Sequence, residues 1–141
     1  MKELEFAKNM LLDNEYTCVI CQEETVHTST FRGVKPLVQW LDQGLDVKGF
    51  YAADKVIGRA TAFLYVLLGV QAVYAHVISK PALEVLEAHQ IQVQYGTLTD
   101  NIINRAGTGI CPFEETVMGI EDPQNAYTAI RQKMKEMNIT V

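Results

Sequence analysis

The stretch NRAGTGICPFEE, residues 104–115, concentrates groups that could bind a ligand or carry out a reaction. A thiol, Cys111, stands directly before Pro112, and two carboxylates, Glu114 and Glu115, follow. Proline at the first helical position and acidic residues in the first turn predict that a helix begins at the thiol. The helix dipole stabilises a thiolate there, although the two glutamates oppose it. Cys111 is therefore a candidate nucleophile; a non-covalent ligand contact and a purely structural thiol are the alternatives.

The residues before the thiol form a candidate anion-binding loop. Glycine allows backbone conformations and close approaches that other residues do not, and exposed amides beside an arginine could bind a phosphate or carboxylate. No Gly-Lys-Ser/Thr follows at the spacing of a Walker A loop, so a plain connecting turn remains the alternative. The predicted ligand-binding residues of this loop are Asn104, Arg105, Gly107, Thr108 and Gly109.

Two further polar clusters lie at predicted helix starts. Asp54 is expected to cap a helix over residues 55–68, and Ser79 is expected to cap the next helix and to line the same ligand site. Lys55 would stand beside the positive end of the helix dipole, at a cost of roughly 0.3–1 kcal/mol. Pairing with Asp54, solvent screening or an anionic ligand could offset that cost. A catalytic hypothesis combines Cys111 as nucleophile, Lys55 as proton shuttle and Asp54 as the group that orients the lysine.

The remaining cysteines and histidines do not suggest a metal site. Cys18 and Cys21 form a C-x-x-C pattern, but their odd spacing on a predicted strand directs the two side chains to opposite faces. His27, His76 and His89 lack the spacing of a zinc site. We therefore predict neither a metal nor another cofactor.

The elements that must position these residues follow a regular order. We expect a helix over 2–13, a hairpin of strands at 16–22 and 25–31, and a helix that ends at Gly44. Strands at 49–53, 71–78 and 91–95 then alternate with helices over 55–68 and 80–90, and two helices end the chain. Such alternation favours parallel strands with helical crossovers, which brings the polar clusters to one edge of the sheet.

The helix predicted over 55–68 is apolar on nearly all sides, so it should be central and covered by other elements. The expected fold class is α/β: a three-layer α/β/α sandwich with a mixed sheet of about five strands, forming a single domain over residues 1–141.

Composition limits the classes of partner. The formal net charge is −5 and the basic residues are dispersed, so we expect no binding of nucleic acid polymers. The longest apolar stretch, Ala62 to Val70, has nine residues, less than half of a membrane span, so no membrane association is expected. An N-terminus without a secretory signal and an odd number of cysteines, three, favour a cytoplasmic protein with reduced thiols.

Three segments, ADKVIGRA, SKPALEVL and INRAGTGICPFE, together resemble a small uncharacterised prokaryotic family within the cytidine-deaminase-like superfamily, on its zinc-less branch. In a working deaminase the central helix begins with His or Cys, any residue and Glu, and the next helix carries Pro-Cys-x-x-Cys. The corresponding segments here read Ala53, Asp54, Lys55 and, from Ser79 to Glu84, no cysteine. The resemblance thus implies a deaminase-like fold without the zinc that activates water.

The resulting functional hypothesis is a small-molecule-binding domain on this scaffold. Its ligand would be anionic, nucleotide-like or phosphorylated, held by Lys55 and Arg105 and touched by Cys111. Two alternatives remain open. One is the enzyme that uses Cys111 with Lys55 and Asp54; the other is a non-catalytic regulatory or oligomerisation protein that forms a homo-oligomer through its N-terminal or C-terminal helix.

Overall fold

The computed structural model of the chain describes residues 2–31, 33–103, 107 and 109–140. Within these ranges the chain forms six helices and five strands. In chain order they are α1 (Lys2–Asp13), β1 (Cys18–Gln22), β2 (Thr25–Ser29), α2 (Lys35–Asp42), β3 (Tyr51–Ile57), α3 (Arg59–Leu68), β4 (Ala72–Ser79), α4 (Lys80–Ala88), β5 (Gln92–Thr99), α5 (Pro112–Thr116) and α6 (Pro123–Glu136).

The five strands form one mixed sheet in the order β2-β1-β3-β4-β5. β1 is antiparallel to both β2 and β3, whereas β3, β4 and β5 are parallel to one another. The helices α3 and α4 supply the two crossovers between the parallel strands. The mixed five-stranded sheet predicted from the sequence is therefore confirmed.

The sheet lies between two layers of helices. On one face α1 buries Leu4, Ala7 and Leu11 against Val19 and other residues of the sheet. On the opposite face a larger core joins the sheet to α2, α3, α4 and α6. The three-layer arrangement follows from the amphipathic α1 on one side and the mostly apolar α3 on the other.

α3 is the central helix, as its composition predicted. Residues 60–65 and Leu68 are buried, and α3 packs against α2, α4, α5 and α6 as well as β3. A helix that is apolar on nearly all sides is stable in water only when it is covered in this way. It ends at Gly69, which has φ of +79° and so adopts the left-handed conformation that favours glycine.

The boundary between β3 and α3 differs from the sequence prediction. β3 continues to Ile57, and α3 begins at Arg59 after an extended Gly58, so the prediction that Asp54 caps a helix beginning at Lys55 was wrong. Asp54 instead pairs with Cys18 of β1 and with Ala75 of β4. Because β3 has a partner strand on both sides, these pairings extend it past the point at which local sequence suggested a helix.

No helix in the described ranges combines the length and the apolar composition needed to cross a membrane.

Candidate functional site

Four strands end at the same edge of the sheet. β3, β4 and β5 are parallel, and β2 runs in their direction because both β2 and β3 are antiparallel to β1. This edge therefore receives the N-termini of α3 and α4 and the segment that follows β2. Ligands of open α/β sheets usually bind outside this edge, so it is the natural place to look for a site.

The start of α3 binds a carboxylate of the chain itself. Glu114 of α5 accepts hydrogen bonds from the backbone N–H groups of Arg59 and Ala60, at 2.6 and 2.9 Å. A Cβ atom at Gly58 would lie 2.5 Å from Glu114 Oε1, so a side chain at this position would displace the carboxylate. The positive end of the α3 dipole favours an anion here. The N-terminus of the central helix therefore binds an anion, and that anion is the Glu114 carboxylate of the chain itself.

Arg59 strengthens the same connection between α3 and the C-terminal part of the chain. Its guanidinium donates a hydrogen bond to the carbonyl oxygen of Ile120 and lies 5.0 Å from the centroid of the Phe63 ring. Glu114 and Ile120 therefore tie the first turn of α3 to α5 and the turn after it. Neither contact was predicted from the sequence; the pair of glutamates after Pro112 was the available signal for the first.

A buried group of three titratable side chains lies between β1, β3 and α3. The Tyr65 hydroxyl donates to Asp54 Oδ2 at 2.7 Å and lies 3.0 Å from the Cys18 sulfur, while the backbone N–H of Val56 donates to Asp54 Oδ1 at 3.2 Å. All three side chains are buried, and Asp54 is only 7% exposed. Asp54 belongs to the candidate set from the sequence; Tyr65 and Cys18 were not predicted as its partners.

Burial controls the protonation of this group. It raises the pKa of Asp54 from its ordinary value of 3.8 to about 7, although hydrogen bonds from Tyr65 and Val56 act in the opposite direction. Burial, and then the charge of Asp54, also raise the pKa values of Cys18 and Tyr65. The Asp54 carboxyl is therefore the member of the group that changes charge near neutral pH.

A cavity of about 280 Å³, which we call the β2–α2 cavity, lies between the end of β2 and α2. Ser29 pairs with Cys18, which in turn pairs with Asp54, so the three side chains share one face of the sheet. The cavity is therefore on the face of the sheet that carries the buried group of Asp54. It is lined by Thr28, Ser29, Thr30, Phe31, Gln39 and Trp40.

Aromatic and charged side chains shape this cavity. The centroid of the His27 ring lies 6.3 Å from that of Trp40, a residue of the cavity wall. It lies 6.4 Å from the centroid of the Phe50 ring. The Lys35 ammonium lies 4.4 Å from the centroid of the Phe31 ring, so a cation contacts a residue that lines the cavity. None of these residues was a candidate from the sequence.

The structure does not bring all the predicted site residues together. Lys55 follows Asp54 in β3, but its side chain is exposed, whereas that of Asp54 is buried against Tyr65. Ser79 caps α4 as predicted, since its hydroxyl accepts from the N–H of Ala82 at 3.2 Å. Ser79 is also fully buried, which commits its hydroxyl to the helix.

The loop before α5 is only partly within the described residues. Gly107 has φ of +71°, a conformation that favours glycine, and Gly109 has open space around it. Ile103 and Ile110 form a bridge that closes the base of the loop. The predicted ligand contacts Asn104, Arg105 and Thr108 lie outside the described residues.

Cys111 marks the start of α5, as predicted. It is half-buried against the larger core, and its N–H donates to the carbonyl oxygen of Ile102 at 3.0 Å. Of its proposed catalytic partners, Asp54 is buried and bonded to Tyr65, and Lys55 is exposed. The role of Cys111 as a nucleophile or ligand contact stays a prediction.

The cysteines of β1 separate as predicted. Cys18 belongs to the core that contains α3, and Cys21 belongs to the core beneath α1. Across residues 2–31, 33–103, 107 and 109–140, no three His, Cys, Asp or Glu side chains lie close enough to hold one metal ion.

Comparison with known proteins places the chain in a family. A family model described as TM1506, "Domain of unknown function (DUF1893)", matches residues 6–134. The chain belongs to the DUF1893 family. It is similar to the crystal structure of a DUF1893 family protein, TM1506, from Thermotoga maritima, with 23% identity, a TM-score of 0.86, and coverage of 94% of this chain and 90% of that one. This likeness shows the fold. No curated protein matches the sequence.

Proposed function

We propose that this DUF1893 protein binds a small molecule that carries a planar ring and an anionic group, as a nucleotide does, and that the ring enters the β2–α2 cavity. The observation that carries the proposal is the combination of Phe31 and Trp40 with hydroxyl groups and a cation around one cavity at the ligand-binding edge of the sheet. Ligand sites typically combine apolar walls with a few polar groups that fix orientation.

The cavity suits a planar ring with polar edges. Phe31 is 49% exposed and Trp40 is half-buried, so both offer apolar ring surface to a ligand. Ser29, Thr30 and the amide of Gln39 supply hydrogen-bond donors and acceptors in the same lining. Stacking on an aromatic side chain is worth about 1–3 kcal/mol for a nucleobase.

The anionic group is assigned to Lys35. The two amides at the start of α3 are already bonded to Glu114, so they are not free for a ligand phosphate. The Lys35 ammonium lies against Phe31, which lines the cavity, and we assign to it the phosphate or carboxylate attached to the ring. In the sequence hypothesis Lys55 and Arg105 held the anionic group of the ligand. The proposal gives this role to Lys35, which is also a cation and lies near a cavity.

The proposal includes a zinc-less, deaminase-like scaffold. The support for this scaffold is the resemblance of three sequence segments. At the start of α3 the chain reads Gly58, Arg59, Ala60, Thr61, which contains none of the His, Cys or Glu of a deaminase helix. Binding without deamination is the function that this sequence favours.

The test uses Trp40, the single tryptophan of the chain, as its reporter. Nucleosides, nucleotides and phosphorylated metabolites are titrated while tryptophan fluorescence and thermal unfolding are recorded. A true ligand changes the fluorescence and, at about 100 times its Kd, stabilises the protein by about 2.7 kcal/mol. If no compound of these classes produces either change, the proposal is wrong.

Matched variants separate the components of the site. Phe31→Ala should weaken binding of phosphorylated and unphosphorylated compounds alike, because it removes a ring surface. Lys35→Ala should weaken only the phosphorylated ones. Lys55→Ala removes an exposed cation from β3 and serves as the control. Affinity that depends on Lys55 and not on Lys35 would contradict the assignment.

A further inference from the structure

We propose that two copies of the chain associate through β5, pairing antiparallel about a twofold axis so that their sheets join into one. This inference concerns an edge of the sheet that the proposed ligand site does not use, since the β2–α2 cavity lies beside β2 at the other end of the strand order.

β5 is a long edge strand whose outer side has no partner strand among the described residues. It has eight residues and pairs with β4 on its other side. Five of its residues are exposed: Gln92, Gln94, Tyr95, Gly96 and Thr97. An edge strand leaves a row of backbone N–H and C=O groups unpaired, and natural proteins usually protect such a row with charge, proline, a bulge or a short strand. β5 has no charged residue or proline and is not short.

The absence of charge favours a second copy as the partner. Residues 91–99, IQVQYGTLT, contain no Asp, Glu, Lys or Arg. Antiparallel pairing of this segment with itself therefore brings no like charges face to face, a contact that destabilises strand pairs. A partner recognised through charge would find no complementary group on this strand.

Symmetry restricts the register of the pairing. A twofold axis perpendicular to the sheet leaves each side chain on its own face of the sheet. Residues directly opposite one another in an antiparallel pair also share a face. The axis must therefore pass through one residue, which pairs with the same residue of the other copy. Centred on Tyr95, which is 44% exposed, the pairing sets two tyrosines together. Aromatic and β-branched cross-strand pairs each contribute roughly 0.2–1 kcal/mol. Asp100 then falls outside the paired strands.

β2, the other edge, is a poorer candidate for such pairing. It has five residues, and the segment that follows it lines the β2–α2 cavity. A seam between two strands is smaller than the ~1,600 Å² of a standard interface, so we expect a reversible dimer with a Kd on the order of micromolar rather than a permanent one.

Sedimentation velocity across a concentration series up to about 1 mM tests the proposal with the full chain. The native protein should shift from monomer to dimer. Tyr95→Lys should abolish the dimer, because it sets two ammonium groups face to face at the axis. Thr25→Lys places the same charge on an exposed residue of β2 outside the cavity and should leave the dimer unchanged. Circular dichroism of each variant verifies that it is folded.

A mixing experiment tests the register. Tyr95→Lys and Tyr95→Glu should each be monomeric alone and should form a mixed dimer when combined, because opposite charges then meet. A native protein that stays monomeric over the whole series overturns the proposal. So does a Tyr95→Lys protein that still dimerises, or a mixture that fails to associate.

Discussion

At the scale of single residues, Asp54 shows that the role of a residue depends on its type and on its position in the fold together. The sequence indicated that its carboxylate has a special task, and the structure gives it one: it accepts hydrogen bonds from Tyr65 and Val56 in a buried group. The predicted task, capping of a helix, was wrong. Tyr65 and Cys18 lie eleven and thirty-six positions away along the chain, so no local pattern could have indicated them as partners.

Asp54 should make the stability of the protein depend on pH in an unusual direction. Its pKa is about 7 in the folded chain, against an ordinary value of 3.8, so the folded state binds the proton more tightly. The resulting stabilisation is full below pH 3.8, is lost as pH rises to about 7, and is constant above that. At about 1.4 kcal/mol per pH unit, the loss is on the order of 4 kcal/mol.

Urea unfolding of the native protein and of Asp54→Asn, at about pH 5 and about pH 8, measures this effect. Asparagine cannot ionise, so the native protein should lose stability relative to the variant as pH rises between the two conditions. If the free energies of unfolding of the two proteins differ by the same amount at both pH values, Asp54 is excluded as the titrating group.

At the scale of elements, α3 shows what local sequence can and cannot specify. Its apolar composition predicted a central helix, and its C-terminal end at Gly69 agrees with the expected boundary. Its first residue was misjudged because the end of β3 is set by pairing with β1 and β4, which lie elsewhere in the sequence. The same kind of pairing, with β4, extends β5 to Thr99, beyond the predicted end at residue 95.

The start of α3 should depend on a residue of another helix. Glu114→Ala removes two charge-assisted hydrogen bonds from the first turn of α3 and should destabilise the protein by about 1–2 kcal/mol. Glu115→Ala is the matched control, because Glu115 is also a glutamate, directly follows Glu114 in the chain and is exposed. Chemical denaturation compares the two variants; equal effects would show that the bonds to Arg59 and Ala60 contribute nothing particular.

At the scale of the whole molecule, the three-layer arrangement was predictable, whereas the β2–α2 cavity was not. Alternation of strands and helices along the chain is a local signal that specifies parallel pairing and covered faces. The cavity depends on the end of β2 meeting the side of α2, which is a property of tertiary packing. The difference between buried Asp54 and exposed Lys55, neighbours in β3, is likewise set by tertiary packing.

Because the sheet has a core on each face, the small core beneath α1 should be essential to the stability of the whole domain. Leu4 is 1% exposed within it, and Leu4→Ala should cost about 2–5 kcal/mol through lost burial and the space left behind. Leu12→Ala, on the same helix but 47% exposed, should cost far less. Thermal unfolding should show one transition for both variants; a separate early transition for Leu4→Ala would indicate that α1 detaches by itself.

The contrast among the three thiols provides a practical tool. Cys18 and Cys21 are buried on opposite faces of the sheet, while Cys111 is only half-buried, beside the helix that carries Glu114. A maleimide dye or a spin label should consequently attach to the native, unmutated chain at one position. Spectroscopy from that position would report ligand-induced motion around the start of α3 without any cysteine engineering.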